Sequence, residues 1–145
     1  MAVDYGDVRT GIAFGVPINA IAGETLTITE RNTDKLVAVI ADLAAARNVP
    51  VIALGYPYNA DGTIGFRAEK TQKLADKLTD LGMTVALVDE RYTTLAAREL
   101  LRSGGKKTKK NNNSLINEVA AAIILEEYFN AISKQRQYIQ ANDNQ

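Results

Sequence analysis

Apolar positions in the first third of the chain favour strands. Ala2-Val3 lead into Asp4-Tyr5 and a Gly6-Asp7 turn. Arg9 to Gly15 alternates loosely, with Ile12 and Phe14 on one face, and Leu26-Thr27-Ile28-Thr29 is β-branched and alternating. The links between these pieces are short, which predicts an antiparallel meander. From Thr33-Asp34 the period changes, and Leu36, Ile40, Leu43 and Ala44 recur at helical spacing. Asp34 falls in the first turn, where the helix dipole favours it. Pro50 closes that segment. Val51 to Gly55 is a continuous apolar run, as in a strand covered on both faces. Phe66 to Leu81 is helical, with Leu74, Leu78 and Leu81 on one stripe and Gly82 as its C-terminal cap. Val85 to Val88 is a second buried strand.

Thr93 or Thr94 caps a further helix through Ala97, Leu100 and Leu101, ending near Ser103-Gly104-Gly105. Lys106 to Ser114 has no apolar residue and is expected to be a loop. The last helix is expected from about Leu115, with Ile116, Val119, Ala120, Ile123 and Ile124 together. The pattern predicts one domain over residues 1–134 and a polar, frayed tail over 135–145. The order is β-β-β-α-β-α-β-α-α. It predicts an α/β fold: a five-stranded mixed sheet, made of a three-strand antiparallel meander plus two parallel strands, with helices on both faces. The first strand would lie centrally, beside the parallel ones, which is the order of a ribonuclease-H-like fold.

Composition narrows the chemistry. The 145 residues include no Cys and no His. That removes disulfides, thiolate zinc sites, cysteine nucleophiles, imidazole bases and the Ser-His-Asp triad. Carboxylates, hydroxyls, Lys, Tyr or a metal ion remain. Apolar residues make up 46% and charged residues 23%, as in ordinary globular domains. No apolar stretch approaches the roughly 20 residues of a membrane span. The start carries no signal-peptide pattern. The expectation is a cytoplasmic protein with no membrane partner, as a monomer or a homodimer. Lys plus Arg equals Asp plus Glu at 17 each, so a polyanionic partner would need a local basic patch.

Four segments could carry chemistry. Asp4-Tyr5-Gly6-Asp7-Val8-Arg9-Thr10-Gly11 puts a carboxylate at a strand end before a glycine turn, which is either a ligand site or ordinary turn chemistry. Asp89-Glu90-Arg91-Tyr92-Thr93-Thr94 follows a buried strand, where α/β sheets gather ligand-binding groups. Arg91 could pair with one acid and a threonine could cap the next helix, which leaves the second acid unexplained. Gly55 to Gly62 could form a cleft wall, and its Tyr56 and Tyr58 could stack on bases, although turn chemistry accounts for most of it. Arg102, Lys106, Lys107, Lys109 and Lys110 form a basic run beside glycines and asparagines, suited to a phosphate backbone. If Asp4 and Glu90 converge, carboxylates holding one or two divalent ions would support phosphodiester cleavage without histidine.

Taken together, Asp4-Tyr5-Gly6-Asp7 with Arg9 and Gly11, Gly55-x-Pro57-x-Asn59-x-x-Gly62, Asp89-Glu90-Arg91-x-Thr93-Thr94, and Ile116-Asn117-Glu118-Val119-Ala120-Ala121-Ala122-Ile123-Ile124-Leu125 resemble the YqgF (RuvX) family over residues 1 to about 130. The resemblance implies a ribonuclease-H-like nuclease acting on precursor 16S rRNA or, as a Holliday-junction-resolvase-like enzyme, on branched DNA. It implies Mg²⁺ or Mn²⁺ on three acids, two of which carry over to Asp4 and Glu90. The third, an Asp, falls on Asn117, which brings an oxygen ligand but no negative charge. Glu118 lies one residue on, turned by about 100°. The departure allows a slow nuclease or a nucleic-acid-binding ribosome-assembly factor that no longer cuts. Arg9 and Arg91 would lie near phosphate or brace the acids. Thr93 and the four lysines Lys106, Lys107, Lys109 and Lys110 would contact nucleic acid. A phosphate-binding reading in the actin, Hsp70 and sugar-kinase manner needs two such domains and ranks below these.

Overall fold

The computed structural model of the chain describes residues 1–91, 97, 99, 100 and 109–144. Its elements are β1 (Ala2–Asp4), β2 (Arg9–Ala13), β3 (Thr25–Thr29), α1 (Thr33–Ala46), β4 (Ile52–Tyr56), α2 (Phe66–Asp80), β5 (Val85–Asp89) and α3 (Lys109–Asp143). The strands form one mixed sheet in the order β3-β2-β1-β4-β5. The meander pairs antiparallel, while β1, β4 and β5 run parallel. The architecture is the α/β, ribonuclease-H-like one that the element order predicts, with β1 at the centre.

The two sheet faces differ in side-chain size. Alternation sends Val3, Ile12, Ile52 and Leu54 to one face, where they pack on Leu36, Val37, Ile40 and Ala44 of α1 and on Leu74, Ala75 and Leu78 of α2. The opposite face presents Ala2, Ala13 and Ala53, which meet Ala121, Ile124, Leu125 and Phe129 of α3. Small residues on both partners let α3 approach closely. The closest approach is at Gly11, where any Cβ would collide with the Asn117 carbonyl oxygen. Thr27 Oγ1 donates to the Ser114 carbonyl at 3.2 Å, which ties the same helix to β3.

Local signals explain the helix ends. Asn32 Oδ1 accepts from the Lys35 amide at 3.0 Å and caps α1. Gly82 takes φ +86° after α2, and the Met83 amide reaches back to Leu78, which closes that helix in a Schellman-type turn.

Two expectations meet the structure differently. The loop expected over Lys106 to Ser114 is helical from Lys109 onward. The frayed tail expected from Gln135 is also helical, through Asp143. Both ends are polar, so an apolar period could not reveal them. They extend a helix already nucleated and anchored at its centre, and adding residues to a formed helix costs little. Of the helix expected after Thr93, only Ala97, Glu99 and Leu100 are described. All three are helical, with Ala97 buried.

The contact at Gly11 gives a direct test. Gly11→Ala should lift α3 from the sheet and cost about 1–3 kcal/mol, the usual range for overpacking. Urea unfolding reads this as a lowered midpoint, and an unchanged midpoint would contradict the close approach.

Candidate active site

The carboxyl ends of the three parallel strands lie along one sheet edge, and the candidate residues gather there. Asp4 ends β1 and is buried. Glu90 follows β5 directly, and its amide donates to the Tyr56 carbonyl at 3.1 Å, which fixes the chain as it leaves the strand. The Asp4 and Glu90 carboxyls share a hydrogen bond. They meet across β4 at Gly55. A Cβ there would lie 2.5 Å from Glu90 Oε2 and 2.6 Å from Ile124 Cδ1. Glu90 therefore occupies the volume that any side chain at position 55 would fill.

Asn117 joins them from α3. Its backbone and Cβ pack on Gly11, and Gly11 is the register partner of Asp4. The structure thus brings Asp4 and Glu90 together and sets the Asn117 backbone against the residue that pairs with Asp4. Among the described residues no group of three or more acidic, His or Cys side chains is arranged to hold a metal. The site has two carboxyls, and the nearby Asn117 is neutral.

Burial governs the electrostatics. Desolvation raises the Asp4 pKa, and the hydrogen bond from Glu90 and the charge of Arg67 oppose the rise. Glu90 is raised further, first by desolvation, then by the Asp4 charge and by the shared hydrogen bond. The pair therefore retains a proton between its oxygens well above the ordinary carboxylate range. The two carboxyls offer oxygens, the donor type that suits a hard divalent cation. A cation entering here would displace that proton.

The surrounding ion pairs separate bracing from availability. Arg91 grips Asp89, with Nε at 3.0 and 3.2 Å and Nη2 at 2.8 Å. That contact holds Asp89 below its usual range. Arg91 therefore braces Asp89, the acid that is not paired with Asp4. Asp7 is held by Lys70 at 3.0 Å and by Arg67 at 3.6 Å. Arg9 opens β2 two residues from Gly11, so alternation puts it on the same sheet face. It has no ion-pair partner among the described residues.

In the Gly55–Gly62 segment, Asn59 and Asp61 bond to Thr63, the Asn59 side chain at 2.9 Å. That part is turn chemistry. Lys109 and Lys110 begin α3, about 12 Å along the helix axis from Asn117. Thr93, Lys106 and Lys107 lie outside the described residues.

Sequence reasoning missed Arg67. It donates to the Tyr5 carbonyl at 3.3 Å, pairs with Asp7, and its charge acts on both Asp4 and Glu90. It stands in the first turn of α2, where a cation opposes the helix dipole. A cation placed against the dipole was the available signal.

The family model for RuvX, described as Holliday junction resolvase, matches residues 1–131. A protein of Syntrophus aciditrophicus is 33% identical over 138 residues, covering 94% of this chain and 91% of its own length. One from Crocosphaera subtropica is 36% identical over 104 residues, covering 71% of this chain and 73% of its own. One from Acetivibrio thermocellus is 36% identical over 104 residues, covering 70% and 74%. Each of the three bears the name "Putative pre-16S rRNA nuclease". No helix among the described residues is long and apolar enough to cross a membrane.

The carboxyl pair makes stability depend on pH in a defined direction. Its folded pKa values lie above the unfolded values near 4, so the folded state binds more protons in between. Metal-free stability should therefore fall as pH rises from about 5 to 8. Glu90→Gln removes one carboxyl and should flatten the fall. Urea unfolding in EDTA across that range checks both, and equal slopes in the two proteins would contradict the pairing.

Proposed function

We propose that this chain, which belongs to the RuvX (Holliday junction resolvase) family, is a metal-dependent nuclease. The observation that carries the reading is the buried Asp4–Glu90 carboxyl pair at the carboxyl edge of the parallel strands, with Asn117 beside it. Asp4 and Glu90 would hold Mg²⁺ or Mn²⁺, with Asn117 in the third position. Such an ion supplies charge neutralisation at a phosphate and a lower pKa for bound water.

The protein's own residues do the rest. Gly55 leaves room for Glu90 to reach Asp4, so the two acids act on one point. Gly11 sets the height of Asn117 above the sheet. Arg67, held by Asp7 and the Tyr5 carbonyl, offsets negative charge at the acids and stands ready to face a phosphate. Arg9, on the same face as Gly11, is the second cation for the nucleic-acid backbone. Lys109 and Lys110, at the start of α3, would add backbone contacts, as would Lys106, Lys107 and Thr93.

The relatives' names favour precursor 16S rRNA as the substrate, and the family description makes branched DNA the alternative. Asn117 lowers the ligand charge from three carboxylates to two. Metal binding, and with it the rate, should be weak for such a site, since ligand charge count tunes cation affinity.

Asn117→Asp should tighten Mn²⁺ binding and raise cleavage of a precursor rRNA fragment by ~10-fold or more. Asp4→Asn and Glu90→Gln should each cost at least ~10–100-fold, because even outer partners of metal ligands cost that much. Gel-based cleavage with a metal titration reads all three. RNA binding that survives EDTA and both acid substitutions, with no cleavage by any variant, would replace the nuclease with a binding factor.

A further inference from the structure

The sheet edge that carries Glu90 has a second side. Strand alternation sends Leu87 and Asp89 away from the face that Glu90 shares with α3. There they line a cavity of about 370 Å³ with Tyr58, Gly62 and Arg91. That volume falls within the range of roughly 300–1,000 Å³ found for ligand clefts.

Two walls of the cavity are planar groups held in place from behind. The Tyr58 ring lies 4.7 Å from the ring of buried Tyr56, tilted by 54°. The Arg91 guanidinium is fixed by Asp89 through both Nε and Nη2, and lies 6.0 Å from the Tyr58 ring centre. Leu87, 45% exposed on the edge strand, gives an apolar floor. Gly62, at φ +86°, adds no side chain at the rim; a Cβ there would come within 3.7 Å of Arg91 Nη1.

These features select a ligand class. The Arg91 charge is matched by Asp89, so an anion gains little there. A flat, uncharged, weakly polar group gains stacking area on an open planar face of this Tyr58–Arg91 pair and contact with Leu87. Nucleobases are such groups, and proteins hold unpaired bases on aromatic rings and guanidinium planes.

We propose that this cavity is a nucleobase subsite. It takes the base of one unpaired nucleotide next to the phosphate that a divalent ion on Asp4 and Glu90 would hold, stacked on the Tyr58–Arg91 pair. Asp89 and Glu90 are consecutive, with Cα atoms about 3.8 Å apart, so cavity and carboxyls stand on two sides of one peptide. A strand crossing the sheet edge can place a phosphate on one side and its neighbouring base on the other. The subsite rests on the nuclease reading, and it gives that reading a preference for an unpaired nucleotide beside the cleaved bond.

The test is an abasic walk along a single-stranded RNA oligonucleotide. Binding to the full chain is read by anisotropy with Ca²⁺, and cleavage is read in parallel with Mn²⁺. Removing the base at one position should weaken wild-type binding by ~10-fold, in line with base–aromatic stacking elsewhere. Tyr58→Phe should keep that penalty. Tyr58→Ala and Tyr58→Leu should abolish it, binding intact and abasic RNA alike. The wild-type walk needs no variant, so a poorly folded substitution cannot obscure the result.

A flat profile, or a penalty that persists in Tyr58→Ala, overturns the subsite. If cleavage continues with a flat profile, the subsite falls and the nuclease stands. If the penalty is present without cleavage in any metal, the nuclease falls and the subsite stands. No binding to any oligonucleotide overturns both.

Discussion

Two carboxyl groups on separate strands meet in this protein across a glycine. Gly55 lies on the strand between those that deliver Asp4 and Glu90, and the Glu90 carboxyl occupies the space above it. Burying two like-charged groups side by side is costly unless a proton or a cation lies between them. Much of the surrounding structure follows from that constraint. The sheet face beneath α3 carries Ala2, Gly11, Ala13, Ala53 and Gly55, so the helix comes close beside the pair. Gly11 carries this furthest, because the backbone of Asn117 rests directly on it.

The charges around the pair are sorted rather than simply abundant. Asp89 sits next to Glu90 in sequence but faces the other way, and Arg91 holds it there. Asp7 sits three residues from Asp4, and Lys70 and Arg67 draw it towards α2. Each motif therefore contributes one acid to the centre and one to its bracing. Arg67 links the two sets, since it contacts the bracing acid and acts on both central ones. The centre is left with a carboxyl pair whose proton a divalent ion could replace.

The order of the elements, the central place of β1 and the convergence of Asp4 with Glu90 were legible in the sequence. They follow from local signals: a period of two in the meander, a period near four in α1 and α2, continuous apolar runs in β4 and β5, and acids just past strand ends. What was not legible lacked such a signal. The role of Arg91 was open because two acids precede it, and only the strand's alternation assigns it to Asp89. Arg67 is 63 residues from Asp4, and nothing in its own segment points there except its awkward place at a helix start. The ends of α3 are polar, and polar helix is invisible to a hydrophobic period. The Tyr56-Pro57-Tyr58 segment could be read as turn or as stacking platform. The structure divides it, with Tyr56 in the core and Tyr58 on a cavity wall.

The Asp4–Glu90 pair is expected to exchange its proton for a divalent cation. Crystals soaked in Mn²⁺ and measured for anomalous scattering test it directly. A peak is expected between the Asp4 and Glu90 carboxylates, with Asn117 beside it. A map with no peak there, or with its only peak at Asp7 or Asp89, would contradict it.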